Sequence, residues 1–416
     1  MGSGIGRVWV LLTAVALLSI GHGLHGSLIG VRATVEQFNQ TTTGLVMAGY
    51  SAGLLVSSWA TPRMIQTVGH IRVFAGFASV VSTAVLLVPL WIEPAWWFAM
   101  RFITGLCTAG LFIVCESWLN SASTNENRGK ILSLYMMVTY GAVGVGQVLL
   151  NISDESGFSR FILVSALMSF ALVPLSLVPT ETPNIKGARA ISIREIYKAS
   201  PLAVSATFLS GLAQSAFFAM GAVYGFIQGM SLPYISAMMA LPSLAVIVSQ
   251  YPIGMISDRF DRRSIILILA TASFGVASFG ALLGYLPKAW GANSAELLIA
   301  VMTAFGAISL PVYSLVIAHA ADQMQRDQLL GASAKLVLIY GLGSLLGPIL
   351  VGVVMQRLHA PGFMIFMAAA YGFMALHALH RRMVGVPSAR SMPSDTLQAG
   401  PLTTPIAAKA IAEGKS

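Results

Sequence analysis

An arginine stands inside a long apolar run: Arg101, in Trp96-Trp97-Phe98-Ala99-Met100-Arg101-Phe102-Ile103-Thr104-Gly105. A charge at the centre of a membrane helix costs roughly 2.5–3.5 kcal/mol on insertion scales, so it ordinarily faces a bundle interior or water. Arg101 is then a cation of a central cavity, suited to an anionic group or to proton coupling. The alternative is an arginine that snorkels or pairs near an interface beside Trp96 and Trp97. His22 and His25 are three residues apart and share one helical face. Histidine titrates near neutral pH, so the pair suits hydrogen bonding to a solute or proton relay. Neutral rings bonded to backbone carbonyls are the plainer alternative. Glu116 is a carboxylate inside the apolar runs, with Arg63, Arg72 and Arg128 in the loops at its end of the helix. An ion-pair latch is expected there, with proton carriage as the other possibility. The amides of Gln147, Gln214 and Gln250 and the phenols of Tyr50, Tyr224, Tyr313 and Tyr340 complete a candidate solute pathway.

Other chemistries lack their residues. The chain has no H-E-x-x-H, G-x-S-x-G or G-x-x-x-x-G-K-[ST] string, so a hydrolase or a direct ATPase is not expected. Its two cysteines, Cys107 and Cys115, are eight residues apart on one run, about 12 Å of helical rise and too far for a disulfide. No metal-ligand spacing occurs, and neither a metal nor a cofactor is expected. A net charge of +9 would suit nucleic acid, but the charges are thinly spread between apolar segments, so no nucleic-acid partner is expected.

The elements that must position these groups are membrane helices. Of 416 residues, 56% are hydrophobic and 9% charged; a soluble domain carries about 25% charged residues. Twelve apolar runs are predicted, at 8–31, 43–62, 72–92, 95–117, 131–151, 159–178, 201–227, 231–253, 264–285, 294–319, 331–354 and 361–379. The first lacks a small-residue cleavage site and is read as a span rather than a signal peptide. With the N-terminus in the cytoplasm, eighteen of the 24 Lys and Arg fall on the cytoplasmic side. Arg32, Arg160, Lys288 and Arg357 fall on the other, which places both chain ends inside. The expected organisation is a six-helix bundle at 1–178, a cytoplasmic linker at 179–200, a second six-helix bundle at 201–382 and a disordered tail at 383–416. A short helix is predicted at Ile193–Lys198 within the linker.

The two halves repeat weakly. An offset of 192 lays Pro62 on Gly254 and His22 on Gln214, and an offset of 200 lays Tyr140-Gly141 on Tyr340-Gly341. Two related six-helix halves are an architecture of secondary transporters, with the site between them near the midplane. Gly105, Gly141, Gly144, Gly146, Gly341, Gly343 and Gly347, with Pro348, are expected where helices cross closely or bend.

These strings resemble the major facilitator superfamily over nearly the whole chain. Gly254-Met255-Ile256-Ser257-Asp258-Arg259-Phe260-Asp261-Arg262-Arg263 resembles its G-x-x-x-D-R-x-G-R-R loop motif, with Asp261 in place of the later glycine. The first-half copy keeps Gly69 and Arg72 but has Pro62 and Gln66 where the opening glycine and the aspartate stand. Arg101-Phe102-Ile103-Thr104-Gly105 resembles the R-x-x-x-G motif of helix 4. Val114-Cys115-Glu116-Ser117-Trp118-Leu119-Asn120 and Gly146-Gln147-Val148-Leu149-Leu150-Asn151 resemble the YcaD-like branch of bacterial transporters.

The resemblance implies an all-α integral membrane fold of twelve transmembrane helices in two pseudo-symmetric six-helix bundles. It implies a cytoplasmic gate built from Arg63, Gly69, Arg72, Glu116, Arg128, Gly254, Asp258, Arg259 and Arg262, with Asp258 meeting the start of helix 5. It also implies a monomer in the bacterial inner membrane that moves a small organic solute by alternating access, with protons as a candidate coupling ion. Efflux of drugs or metabolites by antiport is the alternative, and a solute sensor without flux the remote one. Reporters fused at the N-terminus and after Arg382 should both report the cytoplasmic face; ends on opposite faces would overturn the topology.

Overall fold

The computed structural model describes residues 2–121, 128–152, 157–176, 192–285, 294–324 and 328–384. Among the described residues every regular element is a helix. The first half holds α1 (Gly2–Val35), α2 (Gln40–Val68), α3 (His70–Leu87), α4 (Pro94–Ser121), α5 (Arg128–Val148), α6 (Ser159–Phe170) and α7 (Leu172–Ser176). A short α8 (Ile193–Ala199) follows. The second half holds α9 (Pro201–Ile227), α10 (Leu232–Arg259), α11 (Arg262–Leu283), α12 (Ala295–Ser309), α13 (Val312–Asp322), α14 (Leu329–Leu358) and α15 (Pro361–Val384).

Eleven segments among the described residues are helical, long and apolar enough to cross a membrane. The predicted span at 43–62 is not one of them. It lies in α2, a helix of 29 residues that runs past Pro62 to Val68. Its polar groups explain the difference: Thr43, Ser51, Ser57 and Thr61 are buried, because α2 packs between α4 and α14. Gly69 then turns the chain into α3 at φ 86°, a left-handed value that favours glycine.

The predicted run at 294–319 is two helices, broken at Leu310-Pro311. Pro311 has no N–H to give to Ala307, and a bare carbonyl in a membrane bundle is costly. Three other helices supply donors at the break. Ser249 Oγ of α10 donates to Ala307 O at 2.7 Å, Tyr371 Oη of α15 to Ser309 O at 3.1 Å, and Gln214 Nε2 of α9 to Leu310 O at 3.2 Å.

Most of the expected linker lies outside the described residues. Its last part is α8, started by a capping box in which the Ser192 and Glu195 side chains each accept from the other's backbone N–H. Ile196 is fully buried there. Helix α15 continues to Val384, past the expected boundary at 383; the rest of the tail lies outside the described residues.

The packing repeats. In the first half α1 packs on α5 and α6, α2 on α4, and α3 on α4 and α6. In the second half α9 packs on α14 and α15, α10 on α12, and α11 on α12 and α15. The halves meet through α2 with α14, α5 with α10, and α1 with α9. Exchanging the halves turns the first of these pairs into the second. The tight crossings repeat as well. A Cβ on Gly146 would strike the carbonyl of Ile20, and one on Gly347 that of Leu212, which is Ile20 displaced by 192. Gly343 meets the Phe208 carbonyl in the same seam.

Contacts between the halves gather at the end where α1 stops and α2 begins. Gly44 lies on the Pro348 carbonyl, a Cβ on Gly352 would sit 2.5 Å from the Gln40 carbonyl, and Gln40 N donates to Gln356 Oε1 at 3.0 Å. Within the first half, Gly105 lies on the Tyr50 carbonyl. Gly105→Val should therefore lower stability by about 1–3 kcal/mol or more, because backbone rather than a flexible side chain opposes the added atoms. Ser249→Ala, which removes one donor at the α12–α13 break, should cost about 1 kcal/mol. Thermal unfolding in detergent checks both.

Candidate functional site

A cavity of about 140 Å³ lies between the halves. The first half lines it with His22, Tyr50, Arg101, Thr139, Tyr140 and Gln147 among others, and the second with Gln214, Phe218, Tyr340 and Ser344. Arg101 sits seven residues into α4, about 10 Å from the helix start. It is 4% exposed. Glycines decide what it meets. A Cβ on Gly49 of α2 would lie 3.1 Å from Arg101 Cβ, and Gly105 of α4 lies on Tyr50 O. The helices therefore approach closely, and the Arg101 guanidinium carbon stands 4.9 Å from the centre of the Tyr50 ring.

Arg101 Nη1 also meets His25 Nδ1 at 3.3 Å. An arginine only donates, so Nδ1 accepts and the imidazole is the neutral tautomer with its hydrogen on Nε2. Arg101 Nε, His25 Nε2 and the Tyr50 hydroxyl are all buried with no partner. No described carboxylate pairs with Arg101. His22 lines the cavity, with its ring 5.2 Å from that of Tyr50 and 6.4 Å from that of Phe112.

The remaining polar groups differ in what they leave free. Gln147 Oε1 accepts from Ser27. Gln214 is committed on both atoms: Nε2 to Leu310 O, and Oε1 to the Tyr340 hydroxyl at 3.1 Å. Tyr340 is thus fixed to the α12–α13 break through Gln214.

Of the expected pathway residues, the cavity brings together His22, Tyr50, Arg101, Gln147, Gln214 and Tyr340, with His25 directly behind Arg101. Three others stand elsewhere. Tyr224 is buried against Phe363, ring centres 4.9 Å apart, and its hydroxyl accepts from Gln228. Tyr313 packs behind Tyr340 at 4.6 Å. Gln250 lines a smaller pocket of about 90 Å³ with Gly254, Asp258 and Arg262. Tyr140, Thr139 and Ser344 line the main cavity although the sequence did not single them out as lining. The offset of 200 that pairs Tyr140 with Tyr340 carried the signal for Tyr140.

The expected gate separates into local clusters. Arg63 is exposed, stands 4.0 Å over the Trp59 ring and donates to Trp59 O; Arg72 is exposed. Glu116 is buried and accepts from the Tyr135 hydroxyl at 2.7 Å. Arg128 opens α5, and its side chain lies outside the described residues. Asp258 pairs with Arg262 at 2.8 Å, one helical turn on; the side chains at the start of helix 5, where it was expected, lie outside the described residues. Arg262 also pairs with Asp322 and donates to Ala318 O at 3.2 Å, and Arg259 stands in the last turn of α10. These bonds tie α10, α11 and α13 within the second half. Asp322 was missed because the predicted run ended at 319, whereas α13 reaches it. Glu116, which the sequence suggested as the only carboxylate among the spans, is joined by Asp322 at the end of α13 and Glu296 in the first turn of α12.

Of the expected packing glycines, Gly105, Gly146, Gly343 and Gly347 lie at backbone crossings, while Gly141, Gly144 and Gly341 face Ile247, Leu244 and Leu55 of the opposite half. Pro348 gives its carbonyl to the Gly44 contact. Among the described residues no three His, Cys, Asp or Glu side chains come together as a metal site would need.

Comparison with known proteins agrees with this architecture. The Major Facilitator Superfamily family model matches residues 7–244 and 203–409. The uncharacterized MFS-type transporter YcaD of Escherichia fergusonii is 28% identical over 376 residues, covering 90% of this chain and 95% of that protein. An uncharacterized MFS-type transporter of Yersinia pestis is 26% identical over 377 residues, covering 90% and 95%. Among solved structures, a variant of the nucleoside transporter NupG superposes with a TM-score of 0.76 at 13% identity, covering 90% of this chain and 99% of that one. The E. coli fucose:proton symporter FucP, also a variant, gives 0.56 at 12% identity, covering 91% and 99%. The chain belongs to the Major Facilitator Superfamily and is a multi-pass membrane transport protein.

Proposed function

We propose that this protein moves a small organic anion across the bacterial inner membrane by alternating access, with both chain ends in the cytoplasm. The observation that carries this is Arg101, a buried guanidinium on the cavity wall with only a neutral imidazole and an aromatic face beside it. An unpaired buried charge is strongly unfavourable until an opposite charge joins it. Arg101 Nε and the Tyr50 hydroxyl, both unpartnered, are hydrogen-bond donors, and a carboxylate or another oxyanion accepts from them. The cavity lining includes no acid, so a cationic solute finds no counter-charge there. Two fold neighbours, a nucleoside transporter and a fucose:proton symporter, are named for solutes that are small polar organic molecules.

Efflux of apolar drugs is the second reading, favoured by Met47, Leu54, Met136, Val143 and Phe218 on the same wall. Glu116 and Tyr135, with the Asp258–Arg262–Asp322 cluster, serve in this scheme to hold each half rigid at its gate end. The halves touch at the opposite end, through Gly44, Pro348 and Gly352.

Arg101→Gln should leave the amount of folded protein in the membrane unchanged and weaken anion binding by about 100-fold, the scale of a lost charged hydrogen bond. Uptake into proteoliposomes, with melting temperature as the folding control, checks this. Full uptake by the variant removes the anion reading; apolar drug uptake by both proteins favours efflux.

A further inference from the structure

The contact between Arg101 and His25 constrains when the imidazole can take a proton. Arg101 Nη1 points at Nδ1, 3.3 Å away. The nitrogen that would receive a proton is therefore already occupied as an acceptor. A proton on it would set two donors, both cationic, against each other in a site with no acid. An anion on the guanidinium changes both facts. Its charge, held on Arg101 Nε and the Tyr50 hydroxyl, lies beside the imidazole and offsets the guanidinium, so a proton on Nδ1 is no longer set against an uncompensated cation once Nη1 turns from that nitrogen to the anion.

We infer that the transported anion and a proton enter this cavity together, the anion on Arg101 and the proton on Nδ1 of His25. This rests on the anion reading above and adds the coupling. The charge count makes it specific. Of the cavity's own lining residues Arg101 alone is charged, and adding a monoanion and a proton leaves the total unchanged. A monoanion is thus taken up with one proton, and the loading step is electroneutral.

The surroundings of His25 supply no competing charge. From α4 it meets Arg101, from α2 Tyr50 through Arg101, and from its own helix His22 one turn away; Arg32, two turns on, is paired with Glu36. Helix α5 brings Tyr140 to the same cavity, and α9 brings Tyr224, whose hydroxyl accepts from Gln228. Helix α6 brings Arg160 at its start, bonded to Ile152 O, and α7 brings no ionisable group. Glu116 is fifteen residues further along α4, about 22 Å away. His22 faces the cavity and the rings of Tyr50 and Phe112 and has no hydrogen bond to the guanidinium, so it lacks the feature that would release a proton site when the anion binds.

Anion and proton binding must favour each other equally, because the coupling free energy is shared. The test is calorimetric titration of the purified full chain with acetate, hexanoate and phenylacetate. It is run at pH 7 and 8 in two buffers of different ionisation enthalpy, with neutral phenylacetamide as control. The expected result is uptake of about one proton per anion and affinity about tenfold weaker at pH 8 than at pH 7. His25→Gln keeps an oxygen that accepts from Arg101; it should bind the anion with no proton uptake and no pH dependence. Binding of an anion without proton uptake by the native protein overturns the coupling and leaves the anion reading standing. Proton uptake that persists in His25→Gln overturns the assignment to His25. Failure of all three anions to bind overturns both. The proton count of the native protein decides by itself if the variant does not fold.

Discussion

A guanidinium two turns inside an apolar bundle needs a setting that lowers the cost of its charge without removing it. This chain sets Arg101 over an aromatic face and against a neutral imidazole, with no described acid alongside. Both partners depend on backbone approach. Helices α2 and α4 come close because Gly49 and Gly105 have no side chains to hold them apart, and Tyr50 follows Gly49 directly in the chain. A buried salt bridge would neutralise the cation and close the site to an anionic solute. The incomplete solvation of Arg101, with its Nε left bare, keeps the site open.

The second half presents a wall of a different kind. Its polar groups on the cavity are neutral, and the main ones are already bonded to each other. Gln214 holds Tyr340 on one side and the Leu310 carbonyl on the other. That carbonyl stands at a break made by Pro311, and Ser249 and Tyr371 bond the neighbouring carbonyls. One proline thus draws α9, α10 and α15 onto the same point. The cost of an unsatisfied carbonyl inside the bundle makes those bonds hard to give up. The first half therefore carries the charge and the orphaned donors, and the second half carries a fixed neutral surface opposite them.

Much of this was legible in the chain. Low charge, apolar runs and the offset repeat announce a two-fold helical membrane protein, and Arg101 is conspicuous because so few charges stand inside the runs. His22, read as a polar group sharing a helical face with His25, and Gln214, read as an amide in an apolar helix, both line the cavity. The failures have physical causes. Tyr224 and Tyr313 carry the same side chain as Tyr50 and Tyr340, and only the rotational setting of each helix decides which phenol meets the cavity. Gln250 stands two turns from Asp258 on α10 and lines the smaller pocket at that end of the helix. Asp322 escaped because an apolar run fades before its helix ends. The polar α2 shows the converse: a helix can belong to the bundle without being apolar, provided its hydroxyls face other helices.

The seams between the halves are unequal, and this bears on how they can move. Between α2 and α14 backbone meets backbone at Gly44 with Pro348 and at Gly352 with Gln40, while further along Gly341 meets the Leu55 side chain. Between α5 and α10 the meeting is of glycines with side chains: the Cβ position of Gly144 is 3.4 Å from Leu244 side-chain atoms and that of Gly141 is 3.9 Å from Ile247. Backbone contacts are shape-matched and are lost together when a seam opens, whereas leucine and isoleucine side chains change rotamer and keep contact over a range of separations. A rigid-body rotation of one half on the other would break the α2–α14 seam abruptly and let the α5–α10 seam give gradually. The twofold kinship of the helices reaches their interface where Gly341 meets Leu55 as Gly141 meets Ile247, which is Leu55 displaced by 192, and ends where α2 and α14 cross backbone on backbone. In the alternating-access scheme proposed above, that inequality makes the α2–α14 pair the latch and the α5–α10 pair the bearing.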